Sequence, residues 1–502
     1  MELLASLASG FETALRPDAL LFCFVGVSVG TLVGLLPGIG PIAAISMALP
    51  LTFYLDPTIA LIMLAGIFYG AQYGGSIASI LLNIPGDAPA AVTCLDGYPL
   101  TRQGKAGLAL FVSAVSSFLG GSFAILVLIG LAPTVAAIAL KFGPVEYFSI
   151  MLLGLVAGST LSVGSPVKGI AMVMVGIALG ISGIDVDTGR ARFTFDLQVL
   201  RDGVNLVSLA MGLFGVAEIL NNVGKKASYT VTAKSVSVRS MIPTFEEMRR
   251  VWLPTLRGAV IGSIAGALPG TGPTIASFMA YATEKRTAQD PSRFGHGAIE
   301  GVAAPEAANN AAVQAGFIPT LSLGIPGDSI MAVILGALMI HGIAPGPQFI
   351  AENPDMFWGL VASFWVGNVM LLILNIPLIG VWVRILAVPY YLLYPSMLLF
   401  ICVGVYSINN NMFDIYLVLL FGVVGYFMLQ FGYPAAPLLL GFILGPLMEE
   451  YLRRALLISD GDFIVFVLHP ISAGALLVAV AVLLIPLRTY LRGARRPQPE
   501  TF

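Results

Sequence analysis

Two short blocks each occur twice in this chain, and both carry chemistry. The first reads Pro37-Gly38-Ile39-Gly40-Pro41 and again Pro269-Gly270-Thr271-Gly272-Pro273. Each copy interrupts an apolar run. Proline removes a backbone donor and clashes with the preceding turn, while glycine adopts dihedrals other residues avoid. A helix entering either block should stop there. The helix that restarts presents unpaired N–H groups, and such an end attracts a carboxylate without help from lysine or arginine. The structural alternative is a pair of kinks.

The second block reads Asn83-Ile84-Pro85-Gly86-Asp87 and Gly324-Ile325-Pro326-Gly327-Asp328. Pro-Gly again breaks the helix, but an aspartate follows. Asp87 and Asp328 could cap the next helix. Alternatively they form a proton site or, with Asn83 and unwound carbonyls, a cation site, because a carboxylate at membrane depth is costly and tends to be functional. Two ionised aspartates would repel a carboxylate substrate. Substrate contact is therefore assigned to the breaks themselves (Pro37, Gly38, Gly40, Pro85, Gly86, Pro269, Gly270, Thr271, Gly272, Pro326 and Gly327) and to nearby hydroxyls at Ser76, Ser79, Thr320, Ser322 and Ser329.

A third feature is the stretch 294–314, FGHGAIEGVAAPEAANNAAVQ. Glu306, Asn310 and Gln314 recur at steps of four and share one helical face. A polar stripe turned into a bundle would line a path or hold a cation; a surface loop followed by a capped helix is the plainer reading. Together with Asn83, Asp87 and Asp328, Glu306 and Asn310 are the candidates for ion coupling. His296 has no second histidine or cysteine at ligand spacing, so no metal is assigned.

These residues must be positioned by membrane helices. The chain has 502 residues, 57% of them apolar and only 10% charged; soluble domains carry about 25% charged residues. Mean hydropathy is +0.92. A soluble protein this size would expose large apolar patches. A span needs roughly 20 apolar residues. Stretches of that size lie near 19–50, 58–82, 107–137, 144–182, 203–221, 251–283, 310–343, 355–383, 387–405, 411–430 and 463–487. The stretch 433–448 looks too short to span. The fold expected is all-α and polytopic, with roughly 10–14 membrane elements, some of them Pro-Gly-broken helices or re-entrant hairpins.

The duplicated blocks keep their order at offsets of 232 (34 to 266) and 241 (84 to 325) residues. This supports two homologous halves at 1–221 and 251–462, a linker at 222–250, and a final helix and tail at 463–502. Lys225, Lys226, Lys234, Arg239, Arg249 and Arg250 place the linker in the cytoplasm, and Arg488, Arg492, Arg495 and Arg496 place the tail there. Arg102 and Lys105 follow the first IPGD block, whereas no lysine or arginine follows the second through Pro347. Opposite charge flanks around one motif indicate inverted repeats.

Net charge is −2, which offers no field suited to nucleic acid. The cysteines Cys23, Cys94 and Cys402 show no metal or redox spacing. Residues 1–16 lack the charge and cleavage pattern of a secretory signal and read as a retained amphipathic segment. No Walker A sequence is present, so ATP hydrolysis is not expected. Neither an enzyme nor a cofactor is expected. A passive channel or a membrane scaffold remains the alternative to a transporter.

The long motifs are distinctive. Residues 34–41, Tyr73-Gly74-Gly75-Ser76-Ile77, Asn83 to Asp87, Asp96-Gly97-Tyr98-Pro99, Glu300 to Asn310 and the block ending at Asp328 resemble the large permease subunit (TctA family) of the tripartite tricarboxylate transporters. The resemblance spans nearly the whole chain, including 433–446. It implies a multi-pass protein of the bacterial inner membrane that imports organic carboxylates by secondary transport, driven by sodium or protons. It also implies two protein partners: a small membrane subunit (TctB-like) and a periplasmic solute-binding protein (TctC-like). The Pro-Gly regions would be substrate-binding elements, and one domain would move against a scaffold in an elevator-like manner.

Overall fold

The computed structural model describes residues 2–36, 40–160, 165–185, 188–222, 238–268, 270, 272–385 and 390–493. Helices dominate. In chain order the first group is α1 (Glu2–Ala14), α2 (Pro17–Leu35), α3 (Pro41–Thr52), α4 (Pro57–Leu82), α5 (Ala91–Arg102), α6 (Ala106–Ala139), α7 (Pro144–Thr160) and α8 (Pro166–Gly180). A small hairpin, β1 (Gly183–Ile184) and β2 (Ala191–Arg192), precedes α9 (Leu206–Ala210) and α10 (Ala217–Asn222), which a π-helical turn joins. Then come α11 (Val238–Met241), α12 (Phe245–Ala267), α13 (Gly272–Thr287), α14 (Glu300–Ala315), α15 (Phe317–Leu323), α16 (Ser329–Ile340), α17 (Pro347–Glu352) and α18 (Pro354–Asn375). The chain closes with α19 (Ile379–Ile385), α20 (Tyr390–Asn409), α21 (Met412–Phe431), α22 (Ala435–Ile458), α23 (Val465–Leu468) and α24 (Pro470–Gly493).

Six of these helices (α2, α4, α6, α18, α21 and α22) are long and apolar enough to cross a membrane, and several shorter apolar helices accompany them. The protein is therefore a polytopic α-helical membrane protein. One expectation needs correcting. The stretch 433–448 is not too short, because it opens the 24-residue α22. The charged residues Glu449, Glu450, Arg453 and Arg454 lie on the last turns of that helix. Asp185 and Glu449 each pair with both Arg192 and Arg453, tying the hairpin to α22.

Small residues set the packing. A Cβ placed on Gly26, Gly30 or Gly34 of α2 would stand 2.4, 2.3 or 2.0 Å from the carbonyl oxygens of Met63, Ile67 and Ala71 on α4. The same placement on Gly258, Gly262 and Gly266 of α12 would meet the carbonyl oxygens of Ala304, Ala308 and Ala312 on α14 at 2.2, 2.2 and 2.3 Å. Only glycine permits such backbone contact, which drives helix association where lipid offers no hydrophobic gain. The second set sits 232 residues beyond the first on α12 (26 to 258) and 241 beyond on α14 (63 to 304), the same offsets as the sequence blocks.

Residue numbers rise together along both pairs. Thus α2 runs parallel to α4, and α12 to α14, while α3 and α13 carry the chain back between them. The two pairs run in opposite senses. Along α4, Tyr69 meets Phe364 of α18 and Ser76 meets Glu306. Along α14 and α15, Glu306 comes first, and Phe317 then reaches the same Phe364 at 4.8 Å between ring centres. Helix α6 lies along α14 and α12, and α3 packs on α16.

Candidate functional site

The helices break at both Pro-Gly blocks. Helix α2 ends at Leu35 and α3 starts at Pro41, with Gly40 as an N-cap that makes no side-chain bond. Helix α12 ends at Ala267 and α13 starts at Gly272. Pro37, Gly38, Pro269 and Thr271 lie outside the described residues. The second break is held by its own partner block: the N–H of Gly270 donates to the carbonyl of Gly327 at 2.8 Å. Gly270 has φ +84° and Gly272 φ +60°, conformations that cost glycine little.

The IPGD blocks end their helices in the same way. Asn83 (φ 59°) and Gly324 (φ 70°) are both left-handed C-caps. A Cβ on Gly86 would meet the Gly34 carbonyl oxygen at 1.9 Å and the Gly75 Cα at 2.6 Å, and one on Gly327 would meet the Gly266 carbonyl oxygen and the Gly316 Cα at 3.4 Å each. Each Pro-Gly loop therefore lies against a pair of glycines, Gly34 and Gly75 for the first and Gly266 and Gly316 for the second. Pro85 and Pro326 lead into these seats.

The two aspartates differ. Asp328 is a true N-cap, its Oδ1 accepting from the N–H groups of Ile330 (2.9 Å) and Met331 (2.8 Å). Ser329 is the first residue of α16. Asp87 accepts from the N–H of Ala90 at 3.1 Å through Oδ1, while its Oδ2 is buried with no hydrogen-bond partner among the described residues. Helix α5 starts at Ala91 without a side-chain cap.

The candidate hydroxyls serve different ends. Thr320 donates to the Gly316 carbonyl at 2.7 Å and accepts from the Gly327 N–H, so it braces the second loop. Ser322 donates to Ala132 of α6. Ser79 is fully buried on α4, where its carbonyl accepts from the Asn83 N–H. Ser76 faces elsewhere, toward Glu306.

Glu306 is the hub of the site. It is 1% exposed and lies at the meeting of α4, α5, α6 and α14. Ser76 lies 2.8 and 2.7 Å from its two carboxylate oxygens. Thr93 of α5 makes a short bond to Oε1. Ser113 and Ser117 of α6 each reach Oε2 at 3.2 Å. Asn310 donates to the Glu306 carbonyl at 3.2 Å. Asp87 and Tyr73 are within electrostatic reach of Glu306. No lysine, arginine or histidine bonds Glu306 among the described residues. The arrangement concentrates negative charge in a buried place and satisfies it with hydroxyl groups alone. Nearby helices carry further buried polar atoms without a hydrogen-bond partner among the described residues: Gln72 Oε1, Tyr73 Oη, Asn310 Oδ1 and Gln314 Oε1. Native interiors leave few such atoms unexplained.

Thr93, Ser113 and Ser117 are absent from the sequence-based candidates, as is Asp96. The one local signal on α6 is a pair of serines four apart in an apolar helix. Asp96 is fully buried, and its Oδ1 accepts from the N–H groups of Gly295, Gly297 and Ala298 at 2.9, 2.8 and 2.8 Å. Its Oδ2 accepts from the Tyr281 hydroxyl at 3.0 Å. Asp96 thereby fixes the loop that delivers α14, and with it Glu306, to α5. His296 takes part only through its backbone, its carbonyl accepting from the Gln103 amide.

A cavity of about 1060 Å³ lies away from these residues, beside Arg192, Glu449, Arg453 and Arg454. Its arginines are all paired with acids, so it leaves little free charge for an anion.

Residues 20–440 match the family described as "Tripartite tricarboxylate transporter TctA family". The chain belongs to this family. Members are transporters rather than enzymes, and the chain is a multi-pass inner-membrane permease. It is 50% identical over 495 residues to the "Uncharacterized 52.8 kDa protein in TAR-I ttuC' 3'region" of Agrobacterium vitis, covering 99% of this chain and 98% of that one. It is 54% identical over 228 residues to the "Uncharacterized protein in TAR-II ttuC' 3'region" of the same organism, covering 45% of this chain and 94% of that one. A similarity of 27% over 251 residues links it to "Uncharacterized protein MJ1079" of Methanocaldococcus jannaschii, covering 49% of this chain and 56% of that one. No solved structure matches the chain.

Proposed function

We propose that this permease imports organic carboxylates, di- or tricarboxylates among them, driven by an inward sodium or proton gradient. A periplasmic solute-binding protein would deliver the substrate, and a small membrane subunit would complete the complex. The substrate would sit where helices restart, at Gly40 before α3, Gly272 at the start of α13 and Ser329 at the start of α16, while Gly86, Gly270 and Gly327 shape the adjoining loops, the N–H groups of the last two being bonded to the Gly327 carbonyl and to Thr320. Bare N–H groups at such ends suit a carboxylate. Coupling would centre on Asp87, Glu306 and Asn310, with Asn83 shaping the loop. Asp328 acts as a cap that orients α16. Ser76 belongs with the ion rather than the substrate, because its hydroxyl is committed to Glu306.

The single observation carrying this reading is Glu306, a buried carboxylate held by hydroxyls with no counter-charge. Burying it is expensive and brings no packing gain. An ion or proton that comes and goes gives it a purpose.

We further propose that residues 1–221 and 251–462 are inverted repeats. Three observations support this: the opposite directions of the α2/α4 and α12/α14 pairs, the shared offsets of their glycine contacts, and the opposite charge flanks. The chain would then be joined at 222–250 and closed by 463–502. Helices α3 and α13 would be the returning arms of re-entrant hairpins, an arrangement that offers two near-equivalent states.

The test is uptake of radiolabelled citrate and succinate into vesicles holding the permease, its membrane partner and the binding protein. Accumulation should need both an inward ion gradient and the binding protein. Uptake that survives collapse of both sodium and proton gradients would overturn the reading.

A further inference from the structure

We propose that the coupling ion is a proton carried on Glu306, and that Ser76 is the hydroxyl that switches partner when it binds. This rests on the transport reading above and names its ion.

The hydrogen count points there. Ser76 Oγ lies 3.0 Å from the Gln72 carbonyl oxygen and 2.8 and 2.7 Å from the two oxygens of Glu306. A serine hydroxyl has a single hydrogen for these three oxygens. In the anionic state that hydrogen points at Glu306, beside those of Thr93, Ser113 and Ser117. In the neutral state it turns to Gln72, and a new O–H on Glu306 donates to Ser76 Oγ. One proton enters, one O–H bond forms, and the charge of Glu306 goes from −1 to 0. Release reverses each step and returns the proton to water. No oxygen contact is lost in either direction.

Two other acidic side chains, Asp328 and Asp96, do not have this freedom. Asp328 is held by two N–H groups, and Asp96 by three N–H groups and one phenol. An N–H can only donate, so none of these N–H groups can turn round to accept a bond from an added proton. Glu306 alone among these three is held by hydroxyls only.

The groups around Glu306 agree. From α4 comes Tyr73, from the following loop Asp87, and from α5 Cys94. Helix α6 contributes only hydroxyls, and Tyr281 of α13 is bonded to Asp96. Arg257 of α12 is paired with Glu284. Every group in reach is acidic or neutral, so a proton relieves repulsion between Glu306 and Asp87. A sodium ion would instead have to part oxygens that already touch.

The experiment uses the whole complex in vesicles, with pyranine inside and radiolabelled citrate and succinate outside. Without sodium, an inward proton gradient should drive accumulation, and the dye should report acidification in step with uptake. In Glu306→Gln the amide donates to Ser76 as the neutral acid does. This variant should assemble with a parental size-exclusion profile yet lose proton-driven accumulation entirely. Accumulation that follows sodium at clamped pH, without acidification, overturns the proposal and leaves carboxylate import standing. Proton-driven accumulation by Glu306→Gln also overturns it. If the variant does not fold, the wild-type dye signal decides alone. Wild-type uptake indifferent to both gradients would instead defeat the transport reading.

Discussion

Ser76 and Glu306 are 230 positions apart in sequence, yet the serine hydroxyl lies 2.7 Å from the glutamate's Oε2. The contact joins α4 to α14. It is also the point at which oppositely directed helices share a charge. Removing the hydroxyl leaves the carboxylate with one donor fewer in a buried place. A hydrogen bond to a charged group is worth about 1.5–3 kcal/mol. Ser76→Ala should therefore lower initial uptake by roughly tenfold or more while the protein still assembles. Initial-rate uptake beside size-exclusion profiles would check this; unchanged uptake would remove Ser76 from the mechanism.

Two glycines of the broken helices should separate packing from binding. Gly86 has no room for a methyl group, whereas a Cβ on Gly40 meets nothing within 4 Å among the described residues. Gly86→Ala must displace the aspartate loop, and overpacking of this kind costs about 1–3 kcal/mol or more. Its melting temperature in detergent should fall. Gly40→Ala should melt like the parent and yet bind substrate more weakly if the α3 end touches it. A Gly40→Ala protein with parental transport would take that helix end out of the site.

Asp96 predicts a structural phenotype. Three of its four bonds come from N–H groups of the 295–298 loop on one oxygen, and the fourth from the Tyr281 hydroxyl of α13. Asp96→Asn keeps the shape but weakens those charge-assisted bonds. The expected loss is about 2 kcal/mol of stability, read as an earlier thermal transition. A parental melting curve would contradict the anchoring role.

The opposed helix directions can be read from outside. In a background free of Cys23, Cys94 and Cys402, Asp56→Cys precedes α4 and Ser292→Cys precedes α14. A membrane-impermeant thiol reagent should label one from the periplasm and the other only after the membrane is opened. Labelling of both from one side would refute inversion.

Much of this was legible in the residues, for reasons that are local. Proline and glycine act on their own backbone, so the breaks after Leu35 and Ala267 follow from the blocks themselves. The stripe of Glu306, Asn310 and Gln314 follows from helical periodicity, and all three are buried. What could not be read was the company Glu306 keeps. Thr93, Ser113 and Ser117 reach it from helices whose docking is set by tertiary packing, and a serine in an apolar helix has an ordinary local role in bonding its own backbone. The same holds for Asp96, whose partners lie about two hundred residues away. The length of α22 was missed because Tyr433-Pro434 and Pro437 suggested interruption; in the structure Pro434 only precedes the helix and Pro437 falls within its first turn, where its missing N–H costs nothing.

The seat of Gly86 on the Gly34 carbonyl and the Gly75 backbone has a mechanical meaning. Contacts that close leave no slack for the loop to shift by itself. Asp87 must therefore travel with α2 and α4 as freight on a rigid carriage, and any gating step has to be paid in sliding between such carriages and not in the flexing of one.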